Sequence, residues 1–292
     1  MGGTSGAEVR LPKRRERCSM GQEFEFIPLG DAHMGSANCD RKRLDETIRR
    51  IADNPDARWV GMGDLVESIA PDDFRWNPKD IAQDIEQPDQ AARISDVYVN
   101  RLAQVLEPII DKCWSLNDGN HEDKFNTRYF TNINLRVLEK LGKTMVDDWG
   151  DTFSPLYGEW CSMTRVTFED KNHHRSTLPI YQQHGWQAGR KKGAKVNNLD
   201  DLMGYVVGCR IYLVAHSHER LMTTKTLLSA NQKWDGLKAY DCYGAHTGSY
   251  LRTYQLNKVG YAEKKSFPPT SLGPISFNVT PTRDGVEIEG VQ

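Results

Sequence analysis

Five times along this chain a short apolar run ends in residues of the kinds that ligate metals. The places are Gly30-Asp31-Ala32-His33, Gly63-Asp64-Leu65-Val66-Glu67, Gly119-Asn120-His121-Glu122, His184-Gly185 and Ala215-His216-Ser217-His218. Each preceding run, such as Ile211-Tyr212-Leu213-Val214, reads as a buried strand. A chain that repeatedly empties strands into polar residues fits an α/β layered fold, whose sites form beyond the carboxyl ends of strands.

The segments between these runs support that architecture. Residues 23–29 alternate and then run apolar, a first strand. Residues 40–52 form an amphipathic helix with Leu44, Ile48 and Ile51 on one face, stopped by Asn54-Pro55-Asp56. Residues 58–62 are a second strand, and 68–90, rich in Asp, Pro and Gln, a long loop with a turn or two of helix. A helix over 90–106 follows, then a third strand that delivers Asn120 and His121 into a loop, and a helix over 131–141. From about 144 the pattern turns to β, at 152–168, 178–183, 209–214, 221–228 and 237–243, with one helix at 198–206. Residues 276–291 read as a hairpin around Arg283-Asp284-Gly285. Neither half holds a complete ligand set, so the expectation is one α/β domain over 21–292 with two facing mixed sheets flanked by helices. Residues 1–20, basic and rich in Gly and Ser, are expected to be a disordered tail.

Composition narrows the class. A chain of 292 residues with 38% hydrophobic and 27% charged residues can bury a full core unaided. A net charge of −2 gives no global attraction to nucleic acid or acidic membranes, though a local basic patch is compatible with it. Six cysteines without a CxxC pair read as buried thiols in a reducing compartment. Lys13-Arg14-Arg15-Glu16-Arg17 is followed by no apolar signal region, and no run reaches transmembrane length. The expected location is the cytoplasm, with no membrane partner.

Two divalent ions about 3.5–4 Å apart can clamp a phosphate, generate a hydroxide between them and stabilise the leaving oxygen. The inventory here suits them. Asp31 and His33, two apart, can lean into one site; Asp64 has the short stem a bridging carboxylate needs; Asn120 offers a neutral oxygen. His216 and His218 can each reach a different ion, and His184 completes the second. Mixed carboxylate and imidazole ligands suit Mn, with Fe, Zn, Ni or Mg as other candidates.

The five motifs, in this order, resemble the calcineurin-like metallophosphoesterases over roughly residues 23–220. The resemblance implies a four-layer αββα sandwich and a metal-dependent phosphoester hydrolase. It implies one ion held by Asp31, His33, Asp64 and His218, and a second by Asp64, Asn120, His184 and His216. His121 looks like the family's histidine that contacts the scissile phosphate and acts as general acid. Glu67 stands where the protein-phosphatase branch keeps an Asp paired with that histidine, and is assigned as its orienter. One departure is Ala215 before His216, where the family usually has Gly. A scaffold that kept the fold and lost catalysis is the reading from another class, but such a chain would show eroded ligands or no general acid.

The substrate is less legible. Arg190, Lys191, Lys192 and Lys195 follow His184 closely in a Gly-containing stretch. They read either as phosphate contacts, with Trp186 or Tyr205 stacking on a base, or as a solvated turn with a core tryptophan. Thr247-Gly248-Ser249-Tyr250-Leu251-Arg252 is a second candidate phosphate contact through Arg252, and His246 reads as support or surface. The Asp-Arg-Gly of the Ser/Thr protein phosphatases is missing after Gly63-Asp64, and Glu67 departs from the His of SbcD-like repair nucleases. The size and basic stretch look most like metallophosphoesterases of phages and prophages. The expectation is a phosphodiesterase or nuclease on nucleic acid, with a possible homodimer; the alternative is a small-molecule or nucleotide phosphomonoesterase.

Overall fold

A computed structural model describes residues 11–291 apart from 70–72, 74–75, 78–79, 83–90, 149, 186–188, 190, 231–233, 256–262, 264–265 and 267. Strands β1 (Lys13–Arg17) and β2 (Phe24–Leu29) precede helix α1 (Arg41–Asp53) and β3 (Ala57–Met62). Helix α2 (Ala91–Leu106) passes through a 3-10 turn, Glu107–Lys112, into β4 (Cys113–Asn117). Then come α3 (Asn120–Tyr129), α4 (Ile133–Lys140), the short pair β5 (Met145–Val146) and β6 (Thr152–Phe153), and β7 (Tyr157–Glu159). The second half contains β8 (Cys161–Glu169), β9 (Arg175–Gln183), α5 (Lys192–Tyr205), β10 (Ile211–Val214), β11 (Arg220–Ala230) and β12 (Leu237–Ser249). It ends with β13 (Gly273–Pro274), β14 (Ser276–Thr282) and β15 (Gly285–Val291).

Two mixed sheets result. One has the order β15-β14-β2-β3-β4-β7, the other β1-β8-β9-β10-β12-β11 with β13 beside β12. They face each other across a dry layer in which Phe24, Phe26, Met62 and Trp114 meet Phe168, Ile180, Ile211 and Leu213. Phe26 stacks on Trp114 with ring centroids 5.0 Å apart, and Phe24 meets Phe168 across the gap at 5.3 Å. Burying each such side chain contributes roughly 1.5–3 kcal/mol. Helices α1, α2 and α4 cover the outer face of the first sheet through Leu44, Ile51, Leu102 and Val137. Helix α5 covers part of the second through Leu199, Leu202 and Met203. The layers run helix, sheet, sheet, helix, as expected of the α/β sandwich. Among the described residues, no helix is long and apolar enough to cross a membrane.

Local chemistry explains the elements and the departures from expectation. Asp40 caps α1 by accepting from the Arg43 N–H at 3.2 Å, and Leu44, Thr47, Ile48 and Ile51 form its buried stripe. Asn120 and His121 do not lie in a loop: they open α3. Gly119 is its N-cap, and Glu122 three residues on accepts the Gly119 N–H, half of a capping box, since glycine has no side chain to return the bond. The basic stretch expected in a disordered tail is instead β1, paired parallel to β8. Residues 152–168 are three strands, and α5 begins at Lys192, six residues earlier than expected, taking in the basic run. Most of 68–90 lies outside the described residues. The terminal hairpin forms as expected, and β14 borders β2, with Phe277 opposite Phe26.

Candidate metal centre

Strands β2, β3 and β4 are parallel neighbours, as are β9 and β10 in the other sheet, so their carboxyl ends open at the same edge of the sandwich. That geometry brings together residues up to 187 positions apart in the chain, from Asp31 to His218. Three groups of side chains there can hold a cation: Asp31, His33 and His218; Asp64, His184 and His216; and His33, Glu67 and His121.

The spacing of the donor atoms is what distinguishes this cleft from an ordinary hydrogen-bonded core. Atoms held at about 2.0–2.2 Å by one ion lie roughly 2.8–3.6 Å from one another. His184 Nε2 is 3.1 Å from Asn120 Oδ1, 3.2 Å from Asp64 Oδ2 and 3.3 Å from His216 Nδ1, and His216 Nδ1 is 2.8 Å from Asn120 Oδ1. On the other side, His33 Nε2 is 3.2 Å from His218 Nε2, which is 3.5 Å from Asp31 Oδ1. His33 Nε2 lies 3.9 Å from both Asp31 Oδ1 and Asp64 Oδ2. Asp31 Oδ1 is buried without a hydrogen bond, an orphan that a cation would satisfy. The residues present fit divalent-cation binding.

The backbone is bent to make this cleft. Asp31, His33, Asp64, His216 and His218 all have positive φ, between 45° and 62°. Each such residue costs of order 1–3 kcal/mol, so five in one place mark a strained site that the surrounding fold must hold. Two glycines permit the closest approach. A Cβ on Gly63 would sit 2.3 Å from the Gly119 nitrogen, and one on Gly119 would sit 2.2 Å from Asp64 Oδ1.

Glu122 does much of the holding, a function the sequence reading did not assign to it. Its carboxylate accepts from the Asp64, Leu65 and Gly119 N–H groups at 2.9 Å and from Val66 at 3.2 Å, tying the turn after β3 to the start of α3. Burial, with Asp64 and Asp118 nearby, pushes its pKa up to about 7, while the Gly119 N–H acts in the opposite direction. The capping-box spacing from Gly119 is the signal that marks it. Asp31 is held from the far end of the chain. Ser249 Oγ and the Tyr250 N–H each donate to its carbonyl at 3.0 Å, and its Oδ2 accepts the His216 N–H at 2.9 Å. Ser249 and Tyr250 thus hold the Asp31 main chain.

Hydrogen bonds fix which ring nitrogen faces the cleft. His184 Nδ1 donates to the Met62 carbonyl at 2.8 Å and His33 Nδ1 to Glu67 Oε2 at 2.8 Å, turning both Nε2 atoms inward. His121 Nδ1 meets the Glu67 main-chain carbonyl at 2.6 Å. The Glu67 main-chain carbonyl thus holds His121, while its carboxylate holds His33. Burial acts to raise the Asp64 pKa, but His184, His121 and His33 hold it well below the carboxylate range. Burial would lower His184, yet Asp64 raises it to about 10; burial and His184 push His216 down to about 4.

The proposed phosphate contacts disperse. Lys195 is a correction: it is buried within α5, its Nζ 2.9 Å from Glu219 Oε2, because the stretch is helical and turns that side chain inward. Lys191 and Lys192 are exposed, with Lys192 Nζ 3.6 Å from Glu219 Oε1. Arg252 donates to Asp40 Oδ1 at 3.1 Å. Arg190 and Trp186 lie outside the described residues, and Tyr205 is exposed at the last turn of α5. His246 is buried, 2.9 Å from Ser217 Oγ, and so supports the His216–His218 turn.

No family model matches this sequence, and no curated protein matches it. Among solved structures, the crystal structure of a metallophosphoesterase from Sphaerobacter thermophilus matches 92% of this chain and 89% of its own, at 9% identity and a TM-score of 0.33.

Proposed function

We propose that this protein is a two-metal phosphoester hydrolase, with Mn as the favoured metal, acting as a phosphodiesterase on nucleic acid. The observation that carries the reading is two donor sets flanking Asp64, one with contacts of 2.8–3.3 Å and the other of 3.2–3.9 Å, with the buried oxygen of Asp31 without a hydrogen bond. Asp31, His33, Asp64 and His218 would hold one ion, and Asp64, Asn120, His184 and His216 the other. Two such ions, when bound, supply charge for the phosphate oxygens and acidify a water.

The chain's own residues supply the rest. His121, its Nδ1 committed to the Glu67 carbonyl, is set to pass a proton from Nε2 to the leaving oxygen. Its ring stands edge-on to His33 with centroids 5.0 Å apart, beside the first donor set. Glu67 joins the two by holding both rings. Lys191 and Lys192, exposed a few residues beyond His184, support a substrate with phosphates flanking the scissile one.

The test is to incubate Mn-loaded protein with a labelled DNA strand and with chromogenic diester and monoester substrates, using Asp64→Asn as control. Cleavage of DNA and diester, lost in the variant, is expected. Turnover of the monoester alone would replace this substrate class with small phosphates, and bound metal without any turnover would leave a scaffold.

A further inference from the structure

Strand β1 alternates strictly. Arg14 and Glu16 point inward: Arg14 Nε and Nη2 donate to the Cys113 carbonyl at 3.2 and 2.6 Å, and Glu16 pairs with Arg58 and accepts from Trp114 Nε1 at 2.7 Å. Those half-buried anchors pin the strand to the sandwich, so Lys13, Arg15 and Arg17 point outward from a fixed backbone rather than a tail. The register continues the pattern across the sheet. Lys13 lies opposite Arg165, Arg15 opposite Thr167 and Thr167 opposite Thr177, with Arg175 opposite Glu169.

Helix α5 covers β10, β12 and the ends of β8 and β9 at Met163 and Tyr181, while Arg165 and Arg175, farther from it on β8 and β9, are exposed. Lys13, Arg15, Arg165 and Arg175, with Thr167 and Thr177 between them, line one concavity there. Four exposed cations thus share this concavity, with Arg17 next along β1, and the nearby Glu169 carboxylate is engaged by Arg175 at 2.8 Å, His173 at 3.2 Å and Arg15 at 3.6 Å. Among the described residues, no ion pair engages Lys13, Arg17 or Arg165. A chain with net charge −2 has concentrated positive charge in one place.

We infer that this face docks a nucleic-acid phosphate backbone. Cations two apart on a strand are about 6.6 Å apart and the next strand is about 4.8 Å away, a lattice of point charges and hydroxyl donors suited to consecutive phosphates. No aromatic side chain projects among these six residues, so the contact is to the backbone and blind to sequence. Arg165 lies opposite Pro179, five residues before His184 on β9, which places the face about 17 Å or more along the strand from the cleft. It is a remote hold on substrate, separate from the metal centre.

The inference is independent of hydrolysis, because binding is read with the metals chelated. Fluorescence anisotropy of a labelled single-stranded oligonucleotide, titrated with the full chain across salt concentrations, gives affinity and salt slope. Replacing Lys13, Arg15 and Arg165 together by Gln should weaken binding at low salt about tenfold or more, and lessen the slope by about 2, three contacts at about 0.7 each. The melting temperature reports that the variant is folded; should it fail to fold, Arg165→Gln alone should lessen the slope by about 0.7. Unchanged affinity and slope would overturn the inference. So would wild-type protein that binds anionic lipid vesicles or polyglutamate but not the oligonucleotide, or loss seen only with Lys191→Gln and Lys192→Gln. Binding as described without any phosphoester cleavage would remove the hydrolase reading and leave this one standing.

Discussion

The cleft where Asp31, Asp64 and His184 meet and the face that carries Lys13, Arg15 and Arg165 are both charged, yet one is buried and strained and the other open and relaxed. In the cleft, charge has been taken out of water, so each group must be paired or ligated, and its position is overdetermined by backbone bends and hydrogen bonds. On the face, water and salt screen each cation, and the side chains need only be numerous. The contrast teaches where single substitutions should matter. One change in the cleft should remove a function; one change on the face should be a small, salt-dependent increment.

Asp64→Asn is the most severe way to test this. It keeps an oxygen for the His121 N–H but removes the charge placed between the two donor sets. Losing several kcal/mol of charge stabilisation corresponds to roughly a thousandfold lower turnover. Metal content measured by mass spectrometry should fall with it. A variant that keeps its metal content and full turnover would erase the distinction between cleft and face.

Glu122→Gln tests whether the strain is held by that one carboxylate. The amide can accept at one oxygen only, so about two of the four N–H groups lose their partner, costing roughly 2–6 kcal/mol. Urea unfolding should show the loss, and turnover should fall because Asp64 is no longer fixed. Stability within experimental error of wild type would mean that the bends at Asp31, His33 and Asp64 hold themselves.

These two residues also mark how far the sequence could be read. Asp64 was legible because it ends an apolar strand beside Gly63, a local pattern, and the same holds for Asp31, Asn120, His184, His216 and His218. Glu122 was visible but unassigned, since its partners belong to the turn after another strand. The Ser249 and Tyr250 contacts to Asp31 join residues more than 200 apart, and no local pattern announces them. Strand β1 was missed for a related reason. Read alone, KRRER is a solvated run, and its inward anchors lie on β3 and β4. Lys195 went wrong the opposite way: a basic run suggests a surface loop, whereas the helix turns that one lysine inward to Glu219.

Glu67→Gln is a gentler probe. It preserves the carbonyl that holds His121 and weakens the carboxylate behind His33, so metal affinity should drop about 10–100-fold while His121 stays in place. Competition with a chelating dye measures the first and the pH profile of turnover the second. Equal losses in both would mean that Glu67 acts as one unit.

A proton count follows from the cleft's electrostatics. In the metal-free protein the His184 pKa lies at about 10, so the ring is charged at neutral pH, whereas His216, at about 4, is already neutral. A cation must displace the His184 proton. Raising the pH removes that competitor, so apparent affinity should climb about tenfold per pH unit through neutrality. Calorimetry in buffers of different ionisation enthalpy should show about one proton released as the set that contains His184 fills, and none released would refute the assignment.

The smallest expected effect belongs to the face. Lys13 and Arg165 are directly opposite on β1 and β8, and like charges so placed repel. Arg165→Gln should therefore change stability by no more than about 0.5 kcal/mol, with stabilisation the expected sign. The gain should vanish at high salt, where the repulsion is already screened. If that sign is found in thermal melts at two ionic strengths, this arrangement of cations is slightly unfavourable for the fold itself, as a surface kept for an anionic partner would be. Destabilisation instead would mean that Arg165 supports the edge of the sheet, and the face would lose its claim to be built for binding.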